Sequence, residues 1–271
     1  PRPVSSAASD VYKRQLKNDP KQKILTRAYG VPTKVSGGLF PKFGDAHIVK
    51  TSQIPEEGTN YHIVDPSHGK NWVMMWVRVA KDNKCYVYRE FPDQIRPIEG
   101  VGMAGEWAVA GKKVDGDKGL AQESWGWSLA RYLQEIRHLE GDEEIAVRIM
   151  DSRFGASPTP TKSGVTTLID QMADLDLFFE PSVGVRIEEG ITMVNDLLDY
   201  NQTAEIDCLN TPRLFVHEDC KNLRFALSTW TGADGKHGAV KDWCDLCRYF
   251  VLSAPTYFDS GSGVISSGGA Y

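Results

Sequence analysis

Three strand-like runs lie close together in the first half of the chain, and they constrain the fold more than any other feature. In chain order the runs are YHIVD, WVMMWVRVA and KCYVYREF. Only the polar stretches PSHGKN and KDNK separate them. Because a parallel crossover needs roughly a dozen residues or more, these short connections predict an antiparallel meander.

Alternating helices and strands are expected after the meander. Apolar residues at helical spacing predict helices over residues 121–139, 165–174, 187–200, 220–230 and 241–253. The nearly continuous apolar run EIAVRIMD predicts a buried central strand, and LDLFFEPS and RLFVHE are typical of further strands. This order of elements predicts an α/β protein with a mixed sheet flanked by helices.

The chain divides into four predicted parts. Residues 1–15 are expected to be a non-native tail, because SSAASDVYKRQ resembles the in-frame translation of a transposase-type sequencing adapter. The alternative is a genuine disordered tail rich in Ser and Ala. Residues 16–58, rich in Gly, Pro and Lys, predict an extended and poorly anchored linker. Residues 59–254 form the predicted domain, and residues 255–271 predict a flexible tail rich in Gly and Ser.

Composition is that of an ordinary globular protein. The chain has 271 residues, of which 41% are hydrophobic and 25% are charged, and this suffices for a sizeable core. It has no apolar run near the roughly 20 residues of a membrane helix and no secretory signal, so no membrane partner is expected. The net charge of −5 is not typical of nucleic-acid-binding domains, which are often basic.

The motifs that the sequence lacks narrow the chemistry. No GxSxG elbow, Walker motif or GxGxxG is present, so neither a serine nucleophile nor a glycine loop for nucleotides is predicted. The odd number of cysteines, five, favours reduced thiols in a cytosolic compartment. Cys244 and Cys247 form a single CxxC pair, which is interpreted as two small apolar side chains on a buried helix rather than a zinc site.

Three aspartates, each near the end of a different predicted element, are the candidate site. Asp65 ends the run YHIVD, Asp151 ends AVRIMD, and Asp245 lies on the last predicted helix. Sites in α/β sheets lie at strand ends, and gathered carboxylates suit hard divalent metals. We therefore predict that the three converge to hold two Mg²⁺ or Mn²⁺ ions for phosphodiester hydrolysis, with the metals roughly 3.5–4 Å apart. Bound metals would offset the local negative charge.

Each aspartate also has a purely structural interpretation. Asp65 precedes a proline and could begin a turn, Asp151 could cap the loop that follows it, and Asp245 could pair with Arg248 three residues later. One metal site would account for all three together. Asp242, one turn earlier on the same helix as Asp245, could be a fourth ligand or a supporting group.

Three other polar residues are weaker candidates. Glu90 ends the third strand of the meander and could face the metals. His68 and Lys70 follow Asp65 closely and could orient phosphate or water, although a solvated turn is the simpler interpretation.

An ordered set of segments resembles the large terminase subunit of tailed phages. The segments are YHIVDPSHGKNWVMMWVRV, VDGDKGLAQ, RIMDSRFG, EEGITMVNDLL, LFVHEDCKNL and KDWCDLCRYF. They span about residues 34–252 and correspond to the C-terminal nuclease half of that family, whereas FPKFGDAHIV resembles the linker that follows its N-terminal packaging ATPase. No single segment is specific for the family, but their order is.

The resemblance implies a ribonuclease-H-like fold for residues 59–254 and a metal-dependent endonuclease that cuts concatemeric viral DNA during genome packaging. It assigns Asp65, Asp151 and Asp245 as catalytic residues and metal ligands, with Asp242 as a further candidate ligand. The implied partners are double-stranded DNA, the portal protein and the small terminase subunit, in the cytoplasm of the host cell. Residues 16–58 would then be a linker from an ATPase domain that this chain lacks.

The last segment departs from the family pattern. The family often has His or Asp, then Asp-Ala, before Leu-Arg-Tyr, whereas this chain reads DWCDLCRYF, with Leu246 and Cys247 in place of the usual Ala and Leu. The change leaves Asp245 in place and the role of Asp242 open.

Two alternative functions remain compatible with the sequence. Another ribonuclease-H-like enzyme, such as a resolvase or transposase, would share the acids but would be expected to carry its own basic DNA-recognition module. A catalytically inert module that binds DNA or the portal would keep the fold without depending on metal.

Overall fold

A computed structural model describes residues 37–67, 70–103, 112–113, 120–121, 125–161, 164–184, 186–232 and 239–258. The predicted adapter-derived tail, residues 1–15, lies outside these ranges, as do residues 16–36 of the predicted linker and residues 259–271 of the predicted C-terminal tail.

Thirteen strands and six α-helices are found in the described ranges. The strands are β1 (Ile48–Val49), β2 (Thr59–Asp65), β3 (Val73–Val79), β4 (Cys85–Phe91), β5 (Pro97–Ile98), β6 (Gly102–Met103), β7 (Lys112–Lys113), β8 (Leu120–Ala121), β9 (Val147–Met150), β10 (Thr159–Thr161), β11 (Gly164–Thr166), β12 (Glu180–Pro181) and β13 (Leu214–His217). The helices are α1 (Leu129–Glu140), α2 (Ser152–Gly155), α3 (Leu168–Ala173), α4 (Ile187–Leu198), α5 (Lys221–Thr229) and α6 (Ala239–Leu252).

Seven strands form a mixed sheet in the order β1-β13-β4-β3-β2-β9-β12. The predicted meander is confirmed, because β2 pairs antiparallel with β3 and β3 antiparallel with β4. The outer strands are parallel to their neighbours: β9 to β2, β12 to β9, β13 to β4 and β1 to β13. The sheet is thus mixed, as the sequence predicts.

Helices cover both faces of the sheet, and the strand period of two decides which side chains each face receives. Along β2, Ile63 points into a core shared with α4, α5 and α6, whereas Val64 points into a second core shared with α1 and α3. Along β9, Ile149 and Met150 divide between the two cores in the same way. Residues 65 and 151 each follow a residue of the first core, Ile63 or Ile149, by two positions. Their side chains therefore point to the face of the sheet that α6 covers.

Some element boundaries differ from the sequence predictions. The first long helix begins at Leu129 rather than near residue 121, because the side chain of Ser128 caps it by accepting from the backbone N–H of Arg131. The predicted loop ASPTPTKSG contributes to a small hairpin of β10 and β11, and this hairpin shortens the helix predicted over 165–174 to α3. Only β12 of the run LDLFFEPS forms a strand.

The expectation of a poorly anchored linker is wrong for residues 37–58. Phe40 and Phe43 are each 2% exposed, and β1 extends the main sheet by pairing with β13. The Phe40 ring lies 6.1 Å from that of Trp230, between ring centroids. Two aromatic side chains in a segment rich in Gly and Pro were sufficient to dock it, because burying each one contributes a large apolar area.

The beginning of the predicted C-terminal tail is also anchored. The backbone N–H groups of Thr256 and Phe258 donate to the hydroxyls of Tyr61 (3.0 Å) and Thr59 (2.6 Å) on β2. Both bonds join residues nearly 200 positions apart in the sequence, so residues 256–258 follow the edge of the core instead of leaving it.

All five cysteines lie in the described part of the chain and all are free thiols. Cys244 and Cys247 are buried on α6, as the interpretation of the CxxC pair requires. Of the helices that the structure describes, none combines the length and the apolar character needed to cross a bilayer.

Candidate functional site

Adjacent strand ends place Asp65 beside Asp151. The parallel pairing of β2 with β9 sets Val64 opposite Met150, so each aspartate is the next residue on its own strand. The backbone N–H of Asp151 donates to the carbonyl of Val64 at 3.0 Å. The two carboxyl groups are 86 positions apart in the sequence. They nevertheless lie at the same end of two paired strands and point toward the same face of the sheet.

Asp151 is held by the turn that it begins. It is 2% exposed and caps α2, accepting from the backbone N–H of Arg153 at 3.4 Å. The Arg153 guanidinium also lies 3.4 Å from its carboxylate. The capping interpretation is thus correct for Asp151, and a cap fixes the carboxylate's position without excluding a second role.

Helix α6 supplies the third predicted aspartate. It packs across β2, β3 and β9, and Asp245 on it is fully buried. Its carboxylate accepts from Lys241 one turn before and from Arg248 one turn after. A buried carboxylate is costly unless it is paired, and here two cations on the same helix pair it. The structural interpretation of Asp245, a pair with Arg248, is therefore correct. Asp245 also lies near the other acids.

Asp242 lies on the same helix, one turn nearer its N-terminus. Its carboxylate forms an ion pair with Lys70 at 2.8 Å, and the two side chains are 17% and 24% exposed. Burial raises the pKa of Asp242, against the lowering effect of Lys70. Lys70 thus connects the loop after β2 to the helix that carries two of the acids.

Four carboxyl groups, those of Asp65, Asp151, Asp242 and Asp245, form one group that we call the acid cluster. The pKa of Asp65 is raised well above its usual range, first by burial and then by the charges of the other three acids. Asp242 has the largest of the three charge effects. The three predicted aspartates and Asp242 are thus near enough for their charges to act on one another.

Asp65 differs from the other members in lacking a direct counterion. Among the described residues we find no ion pair of Asp65, and Lys241, which pairs with Asp245, lowers its pKa. The others each have a basic partner: Arg153 for Asp151, Lys70 for Asp242, and Lys241 with Arg248 for Asp245. Asp65 is therefore the member of the cluster for which the described residues show no ion pair.

Sequence reasoning missed Tyr249. Its hydroxyl accepts from the Arg153 guanidinium at 3.1 Å, and burial together with Asp65, Asp245 and Asp151 raises its pKa. The available signal was spacing, because Tyr249 follows Asp245 by one helical turn. Tyr249 and Arg153 close the side of the cluster that faces α2.

Of the three weaker candidates, Lys70 pairs with Asp242, as described above, and Glu90 lies at the start of α5. Both carboxylate oxygens of Glu90 accept from backbone N–H groups at the start of α5, those of Asn222 and Leu223, each at 2.9 Å. Burial outweighs these bonds and raises the pKa of Glu90 to about 8. The structure thus gives Glu90 a helix-capping position. His68 lies outside the described residues.

The carboxylate oxygens of the acid cluster are suitable ligands for a hard divalent cation, but they do not surround a single point. In the part of the chain that the structure describes, no group of three or more His, Cys, Asp or Glu side chains is close enough together to hold a metal ion. The oxygen ligands are those that Mg²⁺ and Mn²⁺ take. Binding would require the acids to exchange their lysine and arginine partners for metal, and it would oppose the acidic neighbours that raise the pKa of Asp65.

Comparisons with known proteins show which solved structures the fold resembles. No protein-family model and no curated protein matches the sequence. The large terminase of a thermophilic bacteriophage matches in structure with a TM-score of 0.52 and 14% identity, over 93% of this chain and 53% of that one. The nuclease domain of the P22 large terminase aligns with a TM-score of 0.49 and 13% identity, over 83% of this chain and 94% of the domain.

At 14% identity, the likeness to the thermophilic phage terminase shows a shared fold. The predicted ribonuclease-H-like mixed sheet flanked by helices is therefore confirmed. The chain spans about half the length of that terminase, 53%.

Proposed function

We propose that this chain is a divalent-metal-dependent endonuclease, the nuclease half of a terminase large subunit. The observation that carries the proposal is the acid cluster, which lies where β2, β9 and α6 meet in a fold shared with a phage large terminase. A set of buried and half-buried carboxyl groups that repel one another is costly for a purely structural element. Such an unfavourable arrangement is expected where the carboxyl groups bind cations.

The residues of the cluster would divide the work. Asp65, Asp151 and Asp245 would hold two Mg²⁺ or Mn²⁺ ions, with Asp242 as a further ligand. Such ions, when bound, activate a water for attack on phosphorus and stabilise the leaving 3′-oxygen. Arg153 is 68% exposed at its side chain and lies beside Asp151, where its guanidinium can bind a DNA phosphate. Lys70 can do the same once it is released from Asp242.

The biological setting follows from the same proposal. The substrate would be concatemeric viral double-stranded DNA, cut during genome packaging in the cytoplasm of the host cell. The portal protein and the small terminase subunit would be the partners, and an ATPase domain would drive translocation. Each of these statements rests on the terminase resemblance.

An inert DNA-binding or portal-binding module is a second candidate, and one observation favours it. Three of the four acids already have cationic partners, and Asp245 has two. A site that had lost its metals would gain stability from such pairs, since they relieve repulsion among the carboxylates.

A cleavage assay separates the two candidates. The purified chain is incubated with plasmid DNA in Mn²⁺ or Mg²⁺, and we expect nicking and linearisation with little sequence preference. EDTA should abolish both. Asp65→Asn and Asp245→Asn should each lower the rate by roughly 100-fold or more, because a lost ligand misplaces the metals that supply most of the acceleration.

A matched control is Asp196→Asn, which changes an exposed aspartate on α4. It should cut at the parent rate. If the Asp65 and Asp245 variants also cut at the parent rate, or if the parent does not cut in either metal, the nuclease proposal fails and the inert module replaces it.

A further inference from the structure

A cavity of about 480 Å³ opens beside the acid cluster, within the range of roughly 300–1,000 Å³ that is usual for small-ligand sites. Pro66, Ser67 and Lys70, all in the segment that follows Asp65, form one wall. Phe154 on α2, three residues after Asp151, forms another. The two strand ends that carry acids therefore also lead into this cavity.

Two partly exposed aromatic rings line the cavity. Phe154 comes from α2, and Trp127 comes from the segment before α1. Trp127 is fixed from behind by Tyr132, at 5.2 Å between ring centroids, and Tyr132 is itself stacked on Trp72 at 4.2 Å. Flat rings held rigidly in this way suit a planar ligand.

Polar groups also line the cavity. The Gln171 carboxamide on α3 offers two donors and an acceptor, and the Thr159 hydroxyl offers one donor. Lys70 provides positive charge and also pairs with Asp242 at 2.8 Å, so one side chain belongs to both the cavity and the acid cluster. A flat ligand with hydrogen-bonding edges and a neighbouring phosphate would satisfy all of these groups.

We propose that the cavity binds one unstacked base of the DNA strand that passes through the acid cluster. The proposal rests on the nuclease function and adds to it the state of the substrate at the cut. Aromatic rings give affinity for any base by stacking, and carboxamide and hydroxyl groups meet its edge. The cavity would favour DNA that is frayed or locally open, because a paired base must first leave its stack.

A fluorescent base tests the cavity without cleavage. A short single-stranded oligonucleotide containing 2-aminopurine is mixed with the full chain in Ca²⁺, and its fluorescence should be quenched on stacking. Phe154→Leu keeps an apolar side chain of similar size but removes the ring, and it should lose most of the quenching. Phe154→Tyr restores a ring and should restore it. Phe178→Leu, at a side chain 68% exposed and outside the cavity, is the control.

A second comparison changes the DNA, and its first measurement uses the parent chain alone. The same oligonucleotide backbone without bases should bind the parent chain about fivefold more weakly or worse, the low end of base–aromatic stacking. Phe154→Leu should bind the two oligonucleotides equally. Equal binding of both by the parent, or equal quenching by Phe154→Leu and Phe178→Leu, would overturn the proposal.

The outcomes separate this proposal from the nuclease proposal. If the chain cuts DNA in Mn²⁺ but its binding ignores the bases, the cavity proposal fails and the nuclease proposal stands. If binding depends on the bases and on Phe154 while no cleavage occurs in either metal, the cavity is a base site in an inert module.

Discussion

Strand β2 contributes His62 and Asp65, only three residues apart, to two different polar clusters. The two clusters differ in how their carboxyl groups are paired. On the α1 face, His62 is fully buried, stacks on Trp76 at 4.3 Å, and has its Nδ1 2.9 Å from the Glu140 carboxylate. Glu140 also accepts from Trp76 Nε1 at 3.1 Å and from Arg148 at 2.6 Å. Every oxygen of this carboxylate therefore has a donor.

The pKa values of the two carboxyls move in opposite directions. Burial tends to raise the pKa of Glu140, but His62 and Arg148 outweigh it and lower the pKa to about 2. Burial and three acidic neighbours raise that of Asp65. Burial lowers the pKa of His62, against the raising effect of Glu140. Both oxygens of the Glu140 carboxylate are paired, whereas Asp65 has no ion pair among the described residues.

The largest effect on stability is expected from a substitution of Glu140. Glu140→Gln should destabilise the protein at pH 7 by about 3 kcal/mol, because the pKa difference between its ordinary 4.5 and about 2 corresponds to that free energy. Since the folded pKa is the lower one, this contribution is present above about pH 4.5 and is lost as the pH falls toward 2. Urea unfolding at pH 7 and at pH 3 measures both effects.

The control for that variant is Glu143→Gln, on a carboxylate that is 29% exposed at its side chain and pairs with Arg89. It should lower stability by less than roughly 1 kcal/mol. Equal losses from the two variants would show that the Glu140 cluster is not the more strongly coupled one.

A smaller effect should follow from filling the space beneath the turn that carries Asp151. A Cβ at Gly155 would lie 2.9 Å from Met150 Cγ and 3.1 Å from Ile169 Cδ1. Gly155→Ala should therefore cost about 1–3 kcal/mol by overpacking. Because the Gly155 N–H donates to the Asp151 carbonyl at 2.7 Å, the rate of DNA cleavage should fall as well.

Gly184→Ala is the matched control, because a Cβ there meets nothing within 4 Å. Its stability and cleavage rate should stay at the parent values. A Gly155→Ala protein that loses stability but retains the full cleavage rate would show that Asp151 does not depend on this turn.

Much of the acid cluster could be predicted from the sequence, because strand ends leave local signals. An apolar run followed by Asp-Pro, or by Asp-Ser, marks where β2 and β9 stop, and the short connections fix the meander. The pairing of β2 with β9 then follows from the fold class. These features depend on neighbours in sequence, so pattern reasoning reaches them.

The cations of the cluster were harder to predict, because a nearby position in the sequence does not show which acid a long basic side chain will pair with. Lys241 and Arg248 share a helix with Asp245, and only the second was considered. Lys70 reaches Asp242 across 172 positions, and Arg153 meets Tyr249 across 96. Such contacts exist only once the chain has folded. The docking of Phe40 and Phe43 was missed for the same reason, since glycine and proline around them indicate a loop.

The smallest expected effect on stability tests the other half of the comparison. Asp65→Asn replaces a carboxyl that its neighbours repel with a neutral side chain of the same shape, so stability without metal should stay unchanged or rise slightly at pH 7. The sign follows from the raised folded pKa of Asp65: its contribution is most favourable below the ordinary pKa and is lost as the pH rises. The gain over the parent should therefore shrink toward zero as the pH is lowered to 4. Thermal unfolding in EDTA across that pH range measures it. A clear loss of stability at pH 7 would mean that Asp65 is a satisfied structural residue like Glu140, and the contrast between the two clusters would fail.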